Sequence, residues 1–455
     1  MKNHEISLQL AGRRLLLTEL PVSEEMIETN APQLRIEPAL RRQGKAYECI
    51  RCGNRSAHLF ASTPCVRCGK HCMYCRNCVG MGRMCECSKL VSWSGSIVRH
   101  TYSSSLLNWE GTLSEGQALA STAVIDAIAR KENHLIWAVC GAGKTEVLFA
   151  GIDAALQRGD RVCIATPRTD VVLELAPRLK KVFPSISVLA LYGGSHDLGK
   201  SSPLIISTTH QLLRYYRAFD TIILDEVDAF PYSVDCSLQY AVMQAKTENG
   251  SLIYLTATPS AAMKKKVQAG KLKATMIPAR YHQYPLPVPI FSWCGNWRSK
   301  IKRNKLPSII WDWIVSHLRA SRPVFLFIPR ISYIAPLTSA LKTLDARITG
   351  VHAEDRDRKE KVASFRNGDI PLLVTSTILE RGVTVRNLQV AVLGAEEDVF
   401  TESALVQIAG RVGRNRDFPS GDVIFFHFGK TEAMVDARMH IVKMNKRAKK
   451  MGWTI

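Results

Sequence analysis

The segment "HLIWAVCGAGKTEVLF", residues 134–149, limits the possible folds of this chain more than any other part of the sequence. An apolar run of strand length leads into a Gly-rich turn that contains Gly143, Lys144 and Thr145, and an amphipathic run of helix length follows. In such a strand–loop–helix unit, loop amides hold phosphate at the helix N-terminus, the lysine reaches the β- and γ-phosphates, and the threonine binds Mg²⁺. The predicted ATP contacts of this loop are Gly141, Ala142, Gly143, Lys144, Thr145 and Glu146.

Short apolar runs alternate with helix-length segments from about residue 112 onward. The first series includes "RVCIAT", "LIIST", "TIILDE" and "LIYLTAT", and such alternation predicts a parallel sheet with crossover helices. Four prolines between residues 278 and 289 interrupt the series, because proline continues neither a helix nor a central strand. A second series runs from "PVFLFIP" to "DVIFFHF". We therefore predict an α/β fold with two parallel-sheet domains, at residues 96–282 and 283–455.

An acidic turn follows the strand-like segment "TIILDEVDAF". Asp225 would hold Mg²⁺ through water, and Glu226 would polarise the attacking water. An acidic turn after a strand is often only a solvated turn, but a phosphate loop in the same chain favours hydrolysis. A scaffold that binds nucleotide without turnover is the non-enzymatic alternative, and it would not need Lys144, Asp225 and Glu226 together.

Nine of the 13 cysteines fall between residues 49 and 87, mostly as pairs two residues apart. The N-terminus is not a secretory signal and no apolar run is long enough to span a membrane, so we expect an intracellular chain whose thiols bind Zn²⁺ rather than form disulfides. The simplest partition crosses the pairs, with Cys49, Cys52, Cys75 and Cys78 on one zinc and Cys65, Cys68, Cys85 and Cys87 on a second. A single ribbon that uses Cys49, Cys52, Cys65 and Cys68 is the alternative, and Cys72 is then spare or exchanges with a neighbour.

The residues before the cysteines carry little apolar pattern. We predict an N-terminal arm at 1–48, with a small hairpin around Ala11 and Gly12, and a zinc-binding module at 49–95. Residues 41–90 contain ten Lys and Arg against two Glu. The module therefore serves as a contact surface for DNA or protein, or only stabilises the fold, and the sequence leaves both open.

The whole chain is basic, with 61 Lys and Arg against 40 Asp and Glu, a net charge of +21 and a pI near 9.5. A solvated basic surface is one explanation. A nucleic acid or another polyanion as partner is the one we favour, since such a field attracts phosphate backbones.

Further motifs resemble those of superfamily 2 helicases. Ala138 replaces the usual first glycine of the phosphate loop, as is common in that superfamily, and "LSEGQ", "STTHQLL", "LTATPS", "VTSTILERGVTV" and "QIAGRVGR" follow in the expected order. The sequence DEVD is neither DEAD nor DEAH, so it settles no subfamily. The resemblance implies two RecA-like domains, adenine recognition by Gln117, a nucleotide-facing Gln407, and arginine fingers at Arg411 and Arg414. It further implies nucleic-acid contacts at Thr166, Arg168, Thr208, Thr209, Thr375 and Arg381.

The cysteine module, this motor, and the phrases "MYCRNCVGMGR" and "IPARYHQYPLPVP" together resemble the ComFA family of late-competence ATPases over residues 49–430. The resemblance implies an ATPase that uses ATP, Mg²⁺ and Zn²⁺ and moves along single-stranded DNA to drive the uptake of transforming DNA. It implies as partners ComFB-like and ComFC-like operon proteins and the DNA-uptake channel, with oligomers as an option. The implied location is the cytoplasm, with the inner face of the membrane as a variant.

A duplex-unwinding helicase of the replication-restart type is the alternative enzyme. It would need a strand-separating wedge, and residues 258–320 offer no obvious insertion for one. RNA in place of DNA, the translocation polarity and the oligomeric state stay open at this stage.

Overall fold

The computed structural model describes residues 2–20, 27, 31–44, 46–95, 99, 101–377 and 384–455. Its N-terminal part is built from short elements in three small antiparallel sheets, ordered β1–β8–β2, β3–β4 and β5–β6–β7. These elements are α1 (Lys2–Leu10), β1 (Arg14–Leu16), β2 (Leu34–Pro38), β3 (Leu40–Gln43), β4 (Ala46–Cys49), β5 (Phe60–Pro64), β6 (His71–Cys75), β7 (Met84–Cys85) and β8 (Lys89–Trp93).

The predicted hairpin around Ala11 and Gly12 is wrong, because the residues before it form the helix α1. Ile6 and Leu10 are four residues apart and fully buried, as one face of a helix requires. The turn at Gly12 has a φ of +69°, and a Cβ there would lie 2.6 Å from Ala218 Cβ. The turn therefore packs closely against Ala218, in the domain that contains the phosphate loop.

Lobe 1 contains a seven-stranded parallel sheet with the order β11–β12–β10–β13–β14–β9–β15. Its elements are α2 (Glu115–Ala129), β9 (His134–Ala138), α3 (Phe149–Gln157), β10 (Val162–Thr166), α4 (Thr169–Val182), β11 (Val188–Leu191), β12 (Leu204–Thr208), β13 (Phe219–Asp225), α5 (Cys236–Ala245), β14 (Lys246–Thr256), α6 (Ala261–Gln268) and β15 (Lys273–Ile277).

Lobe 2 contains a six-stranded parallel sheet with the order β16–β21–β20–β17–β19–β18. Its elements are β16 (Ile290–Trp293), α7 (Trp297–Ile301), α8 (Ser308–Arg319), β17 (Val324–Phe327), α9 (Ile334–Leu341), β18 (Thr349–Val351), α10 (Arg358–Asn367), β19 (Leu372–Thr375), β20 (Gln389–Leu393), α11 (Glu402–Ala409), β21 (Val423–His427) and α12 (Glu432–Lys450).

The predicted fold class, two parallel-sheet α/β domains behind a cysteine-rich module, is confirmed. Central strands such as β10, β12 and β20 are buried along their whole length, which is why they read as continuous apolar runs rather than alternating ones. Loops at the carboxyl ends of parallel strands meet at one edge of a sheet. The cleft described below lies at these edges, between the two lobes.

The C-terminal end of lobe 2 also contacts lobe 1. Trp453 Nε1 donates to Glu115 Oε2 at 3.0 Å, and a Cβ on Gly116 would lie 2.7 Å from the Trp453 ring. The lobes are therefore held together both at the cleft and at the start of α2. Within the described ranges, no helix combines the length and the hydropathy that a membrane crossing requires.

Candidate active site and metal centres

The phosphate loop follows β9 and leads toward α3, and it also contacts lobe 2. Gly141 and Gly143 have φ values of +83° and +69°, which a residue with a Cβ adopts only at a cost. The predicted helix directly after Lys144 begins later than expected, since residues 146–148 form a 3₁₀ turn and α3 starts at Phe149. Cys140 Sγ donates to Gln407 Oε1 of lobe 2 at 3.0 Å.

Gln117 forms hydrogen bonds with the main chain of the phosphate loop. Its Nε2 donates to Ala142 O at 2.9 Å and to Gly143 O at 3.2 Å. Its Oε1 accepts from Ser114 N at 2.8 Å, which completes a capping box at the start of α2. The side-chain amide is thus engaged within the protein in this structure, and adenine recognition by Gln117 stays a prediction.

The acidic turn begins where β13 ends. Asp225 Oδ1 accepts from Glu226 N at 2.9 Å. Glu226 has a φ of +56°, a conformation that costs a residue other than glycine about 1–3 kcal/mol and that recurs at functional sites. Asp225 and Glu226 line one cleft with Lys144 and Thr145.

Two arginines complete the opposite wall of this cleft. Arg411 is 1% exposed, and burial, followed by the positive charge of Arg414, lowers the pKa of Arg411 well below its usual value. Arg414 Nε donates to Gly410 O at 3.0 Å. Arg411, Arg414 and Gln407 line the same cleft as the phosphate loop. Positive charge concentrated in this way suits a polyphosphate.

The last acidic residue of the turn connects the lobes and was not singled out from the sequence. Asp228 Oδ1 accepts from Thr256 Oγ1 at 2.5 Å, and Asp228 Oδ2 accepts from Thr258 Oγ1 at 2.7 Å. Ser403 of α11 also donates to Asp228 Oδ2, at 2.5 Å. Asp228 stands in the DEVD motif, which is a usable signal, whereas nothing in the sequence marks Ser403.

The predicted nucleic-acid contacts are mostly buried side chains. Thr166, Thr208, Thr209 and Thr375 lie at or just beyond the ends of β10, β12 and β19, with little or no exposed surface. Arg168 is partly exposed and pairs with Asp170 at 3.1 Å. Arg381 lies outside the described residues. A strand contact by these residues stays a prediction.

The first predicted cysteine quartet comes together in space. The Sγ atoms of Cys49, Cys52, Cys75 and Cys78 all lie within 4.8 Å of one another. The pairs Cys49–Cys78 and Cys52–Cys75 are 3.7 and 3.6 Å apart. A tetrahedral zinc with Zn–S bonds of about 2.3 Å requires sulfurs about 3.8 Å apart, whereas a disulfide requires about 2.05 Å. The quartet fits Zn²⁺.

The second quartet differs from the prediction, since Cys72 takes the place of Cys85. The Sγ atoms of Cys65, Cys68, Cys72 and Cys87 lie within 4.8 Å of one another, and Cys87 N donates to Cys72 Sγ. Successive side chains of a strand point to opposite faces, so Cys72 and Cys75, three apart on β6, serve different clusters. Cys85 is buried on β7, outside both groups.

The two clusters differ in their surroundings. The quartet of Cys49, Cys52, Cys75 and Cys78 is packed in one apolar core with lobe 1 residues such as Phe219. Three of the four cysteines in the other quartet are partly exposed. The first cluster thus joins the module to lobe 1, and the second faces outward.

Comparisons with known proteins agree with this architecture. Three family models match the chain: the competence protein ComFA N-terminal domain at residues 1–92, the res subunit of type III restriction enzymes at 110–261, and the helicase conserved C-terminal domain at 302–416. Among solved structures, Saccharomyces cerevisiae Dbp5 bound to RNA and ADP BeF3 is similar in fold, with a TM-score of 0.52 and 14% identity over 73% of this chain and 91% of that one. RecG bound to a three-way DNA junction gives a TM-score of 0.50 at 16% identity, over 75% of this chain and 47% of that one.

Relatives match over nearly the full length. Competence protein ComFA of Bacillus subtilis strain 168 is 52% identical over 99% of this chain and 97% of its own length. Competence protein ComFA of Streptococcus pneumoniae strain R6 is 35% identical, over 98% and 99%. The expected superfamily 2 ATPase domains are confirmed by these matches and by the helicase-type models. The chain therefore belongs to the ComFA family of competence proteins, whose motor is a helicase-type ATPase.

Proposed function

We propose that this chain is a single-stranded-DNA-dependent ATPase and translocase that drives the uptake of transforming DNA in competence. The observation that carries the proposal is the cleft, in which Lys144, Glu226 and Arg411 from both lobes line one space. Full-length similarity to relatives named competence protein ComFA supports the process. ATP turnover with single-stranded DNA, duplex DNA and RNA compared tests it.

The cleft residues would have different roles in ATP hydrolysis. Lys144 would contact the β- and γ-phosphates, and Thr145 and Asp225 would hold Mg²⁺, which neutralises phosphate charge when bound. Glu226 would orient and polarise the attacking water. Arg411 and Arg414 would stabilise the charge that builds on the γ-phosphate, an effect worth about 10³-fold or more.

The hydrogen-bond network around Asp228 offers a route from hydrolysis to movement. Asp228 follows Glu226 by two residues, and Ser403 of lobe 2 donates to it directly. A change at Glu226 on hydrolysis would alter the contact that lobe 2 makes with lobe 1. We infer that opening and closing of the lobes is coupled to the state of the acidic turn in this way.

A groove between the cysteine module and lobe 1 is our candidate path for the strand. It encloses about 1210 Å³ and is lined by Thr208 and His210 of lobe 1 and by Arg55 of the module. Phe230, four residues after Glu226, lines the same groove with 76% of its surface exposed. An exposed aromatic ring can stack on a base whatever its sequence. Phe230 would thus place strand binding next to the acidic turn.

Both cysteine clusters would hold Zn²⁺, which supplies tetrahedral cross-links when bound. The buried cluster would fix the module against lobe 1 and so form one wall of the groove. The exposed cluster and its basic surroundings would face DNA or a partner protein. ComFB-like and ComFC-like proteins and an uptake channel at the inner face of the membrane are the proposed partners, and they rest on family resemblance alone.

Duplex unwinding is the alternative activity. The ATP-dependent DNA helicase RecG of Streptococcus pneumoniae is 26% identical, over 62% of this chain and 43% of its own length. In the described chain between Thr258 and Ala320, the elements α6, β15, β16, α7 and α8 all belong to the two lobes. No separate wedge domain is formed there, and this favours translocation. A scaffold without turnover is disfavoured, since it has no use for this cleft.

A further inference from the structure

The linker between the lobes, residues 278–289, contains a buried arginine that contacts residues 410–414 of lobe 2. We call residues 410–414 the arginine turn. Arg280 is only 2% exposed. Its Nη1 donates to Gly413 O at 2.6 Å, and its Nη2 donates to Val412 O at 2.7 Å and to Gly410 O at 3.4 Å. One planar guanidinium group therefore holds three main-chain carbonyls of the turn.

The residues after Arg280 tie the same turn to the phosphate loop. Tyr281 N donates to Gly141 O at 3.1 Å, and His282 Nε2 lies 3.0 Å from Gly413 O. A Cβ on Gly141 would lie 3.5 Å from Arg280 Cγ, in ordinary contact with it. The linker is thus inserted between the phosphate loop and the arginine turn and touches both.

Two glycines of the turn permit this close packing. A Cβ on Gly410 would lie 2.5 Å from Cys140 Cβ, and a Cβ on Gly413 would lie 2.2 Å from Pro419 O and 2.8 Å from Arg280 Nη1. Gly413 also has a φ of +70°. Because Gly410 and Gly413 have no side chain, the main chain of the turn packs directly against the phosphate loop and Arg280. The position of the turn therefore depends on both contacts.

The positive charges of Arg280, Arg411 and Arg414 repel one another, so their close approach requires contacts that fix the main chain. Burial and then the nearby charge of Arg414 lower the pKa of Arg280 to about 10, and the same two causes lower the pKa of Arg411. Like charges at short range separate unless other contacts fix them. Arg280 supplies such contacts, because it binds the carbonyls of Gly410 and Val412, which flank Arg411, and the carbonyl of Gly413, which directly precedes Arg414.

We propose that Arg280 is a positioning residue for ATP hydrolysis, which fixes the main chain of the arginine turn so that Arg414 faces the γ-phosphate. Arg280 does not line the nucleotide cleft and would act only through the turn. The inference rests on the proposed finger role of Arg414. The linker would therefore contribute to catalysis as well as joining the lobes.

The test is a double-mutant cycle on the zinc-loaded full chain, with ATP affinity and single-strand-stimulated kcat measured separately. Arg414→Ala should lower kcat about 10³-fold. Arg280→Met, which keeps the length and removes the donors, should lower kcat about 10²-fold, as expected when a reacting group is misplaced by about 1 Å, and change the Kd for ATP by less than about threefold. The double variant should be within about threefold of Arg414→Ala alone, since the two act in one chain of contacts.

Arg280→Lys provides the second variant, in case Arg280→Met does not fold. A single ammonium group cannot reproduce the fork that spans three carbonyls, so kcat should fall about tenfold, again without further loss in the Arg414→Ala background. Arg161→Met is the matched control, because Arg161 is also buried and donates to a carbonyl, Ala11 O, at the opposite end of β10 from the cleft. It should lower stability and leave the effect of Arg414→Ala unchanged.

Two results would overturn the inference, and they are distinguishable. If Arg414→Ala lowers kcat but Arg280→Met does not, or if the two losses multiply in the double variant, Arg280 has no positioning role. If Arg414→Ala leaves kcat unchanged, the finger assignment itself is wrong, and the role of Arg280 is lost with it.

Discussion

Ser403 of lobe 2 donates a hydrogen bond of 2.5 Å to Asp228 of lobe 1, on the oxygen that also accepts from Thr258. This is a direct polar contact between the acidic turn of one lobe and a helix of the other. Hydrogen bonds to charged groups contribute about 1.5–3 kcal/mol. The contact is therefore strong enough to influence how the lobes close.

Removing this contact should weaken the coupling between strand binding and hydrolysis. Ser403→Ala should lower single-strand-stimulated ATP turnover about tenfold or more, as expected for a loss of about 1.5 kcal/mol or more, and lower basal turnover less. Ser316→Ala is the control, since Ser316 donates within its own helix to Trp313 O. Equal losses of basal and stimulated turnover would show that Ser403 has no part in coupling.

Lys144→Ala and Glu226→Gln should fail at different steps. The lysine contacts phosphate, so its loss should weaken ATP binding at least tenfold, or about 1.4 kcal/mol. Glu226→Gln should bind ATP with little change and lose about 10²-fold or more in kcat, because the base that activates water is gone. Equilibrium titration and single-turnover hydrolysis separate the two effects. Near-normal turnover in Glu226→Gln would remove it from the catalytic set.

The metal centres make a prediction that separates Cys72 from Cys85. The purified chain should contain about two Zn²⁺. Cys72→Ser should lose about one, because Cys72 lies in the second quartet, and Cys85→Ser should retain both. Since protons compete for the thiolates, both metals should be released as the pH falls. Loss of zinc in Cys85→Ser with none in Cys72→Ser would restore the partition expected from the sequence.

The groove predicts that Phe230 contributes to strand affinity. Phe230→Ala should weaken single-strand binding by about 1–3 kcal/mol, the range for one base–aromatic stack, with little change in the salt dependence. Val234→Ala is the control, since Val234 is 68% exposed in the same groove and cannot stack. Unchanged affinity in Phe230→Ala would place the strand elsewhere.

The sequence was sufficient to predict those parts of the fold and of the candidate site that depend on local chemistry. The apolar runs became β10, β12 and β13, and the Gly-rich loop and the acidic turn lie at the ends of β9 and β13, as the order of these segments predicted. The α1 segment was misread because its three apolar residues, Ile6, Leu8 and Leu10, alternate with polar residues, a pattern that is typical of a short strand. Its tertiary packing through Ile6 and Leu10 decided the outcome.

Contacts between distant segments could not be read from the sequence. Residues 71–75 were not predicted as a strand, so the opposite faces of Cys72 and Cys75 were not used, and Cys72 and Cys85 were exchanged. Arg280 lies in the phrase "IPARYHQYPLPVP", which was noted only for its prolines and as part of a family resemblance, and Ser403 lies in no motif. Only the contact between the lobes brings Arg280 to Gly413 and Ser403 to Asp228. Adenine recognition by Gln117 stays a prediction, and its hydrogen bonds to the phosphate loop appear only in three dimensions.

The most direct test of the account compares ATP turnover with strand separation on the same preparation. We predict strong stimulation by single-stranded DNA of several unrelated sequences and little unwinding of tailed or blunt duplexes. Binding should fall with salt at a slope of about −0.7 per phosphate neutralised. Efficient unwinding of a tailed duplex would contradict translocation without strand separation, and stimulation by RNA alone would contradict a DNA motor.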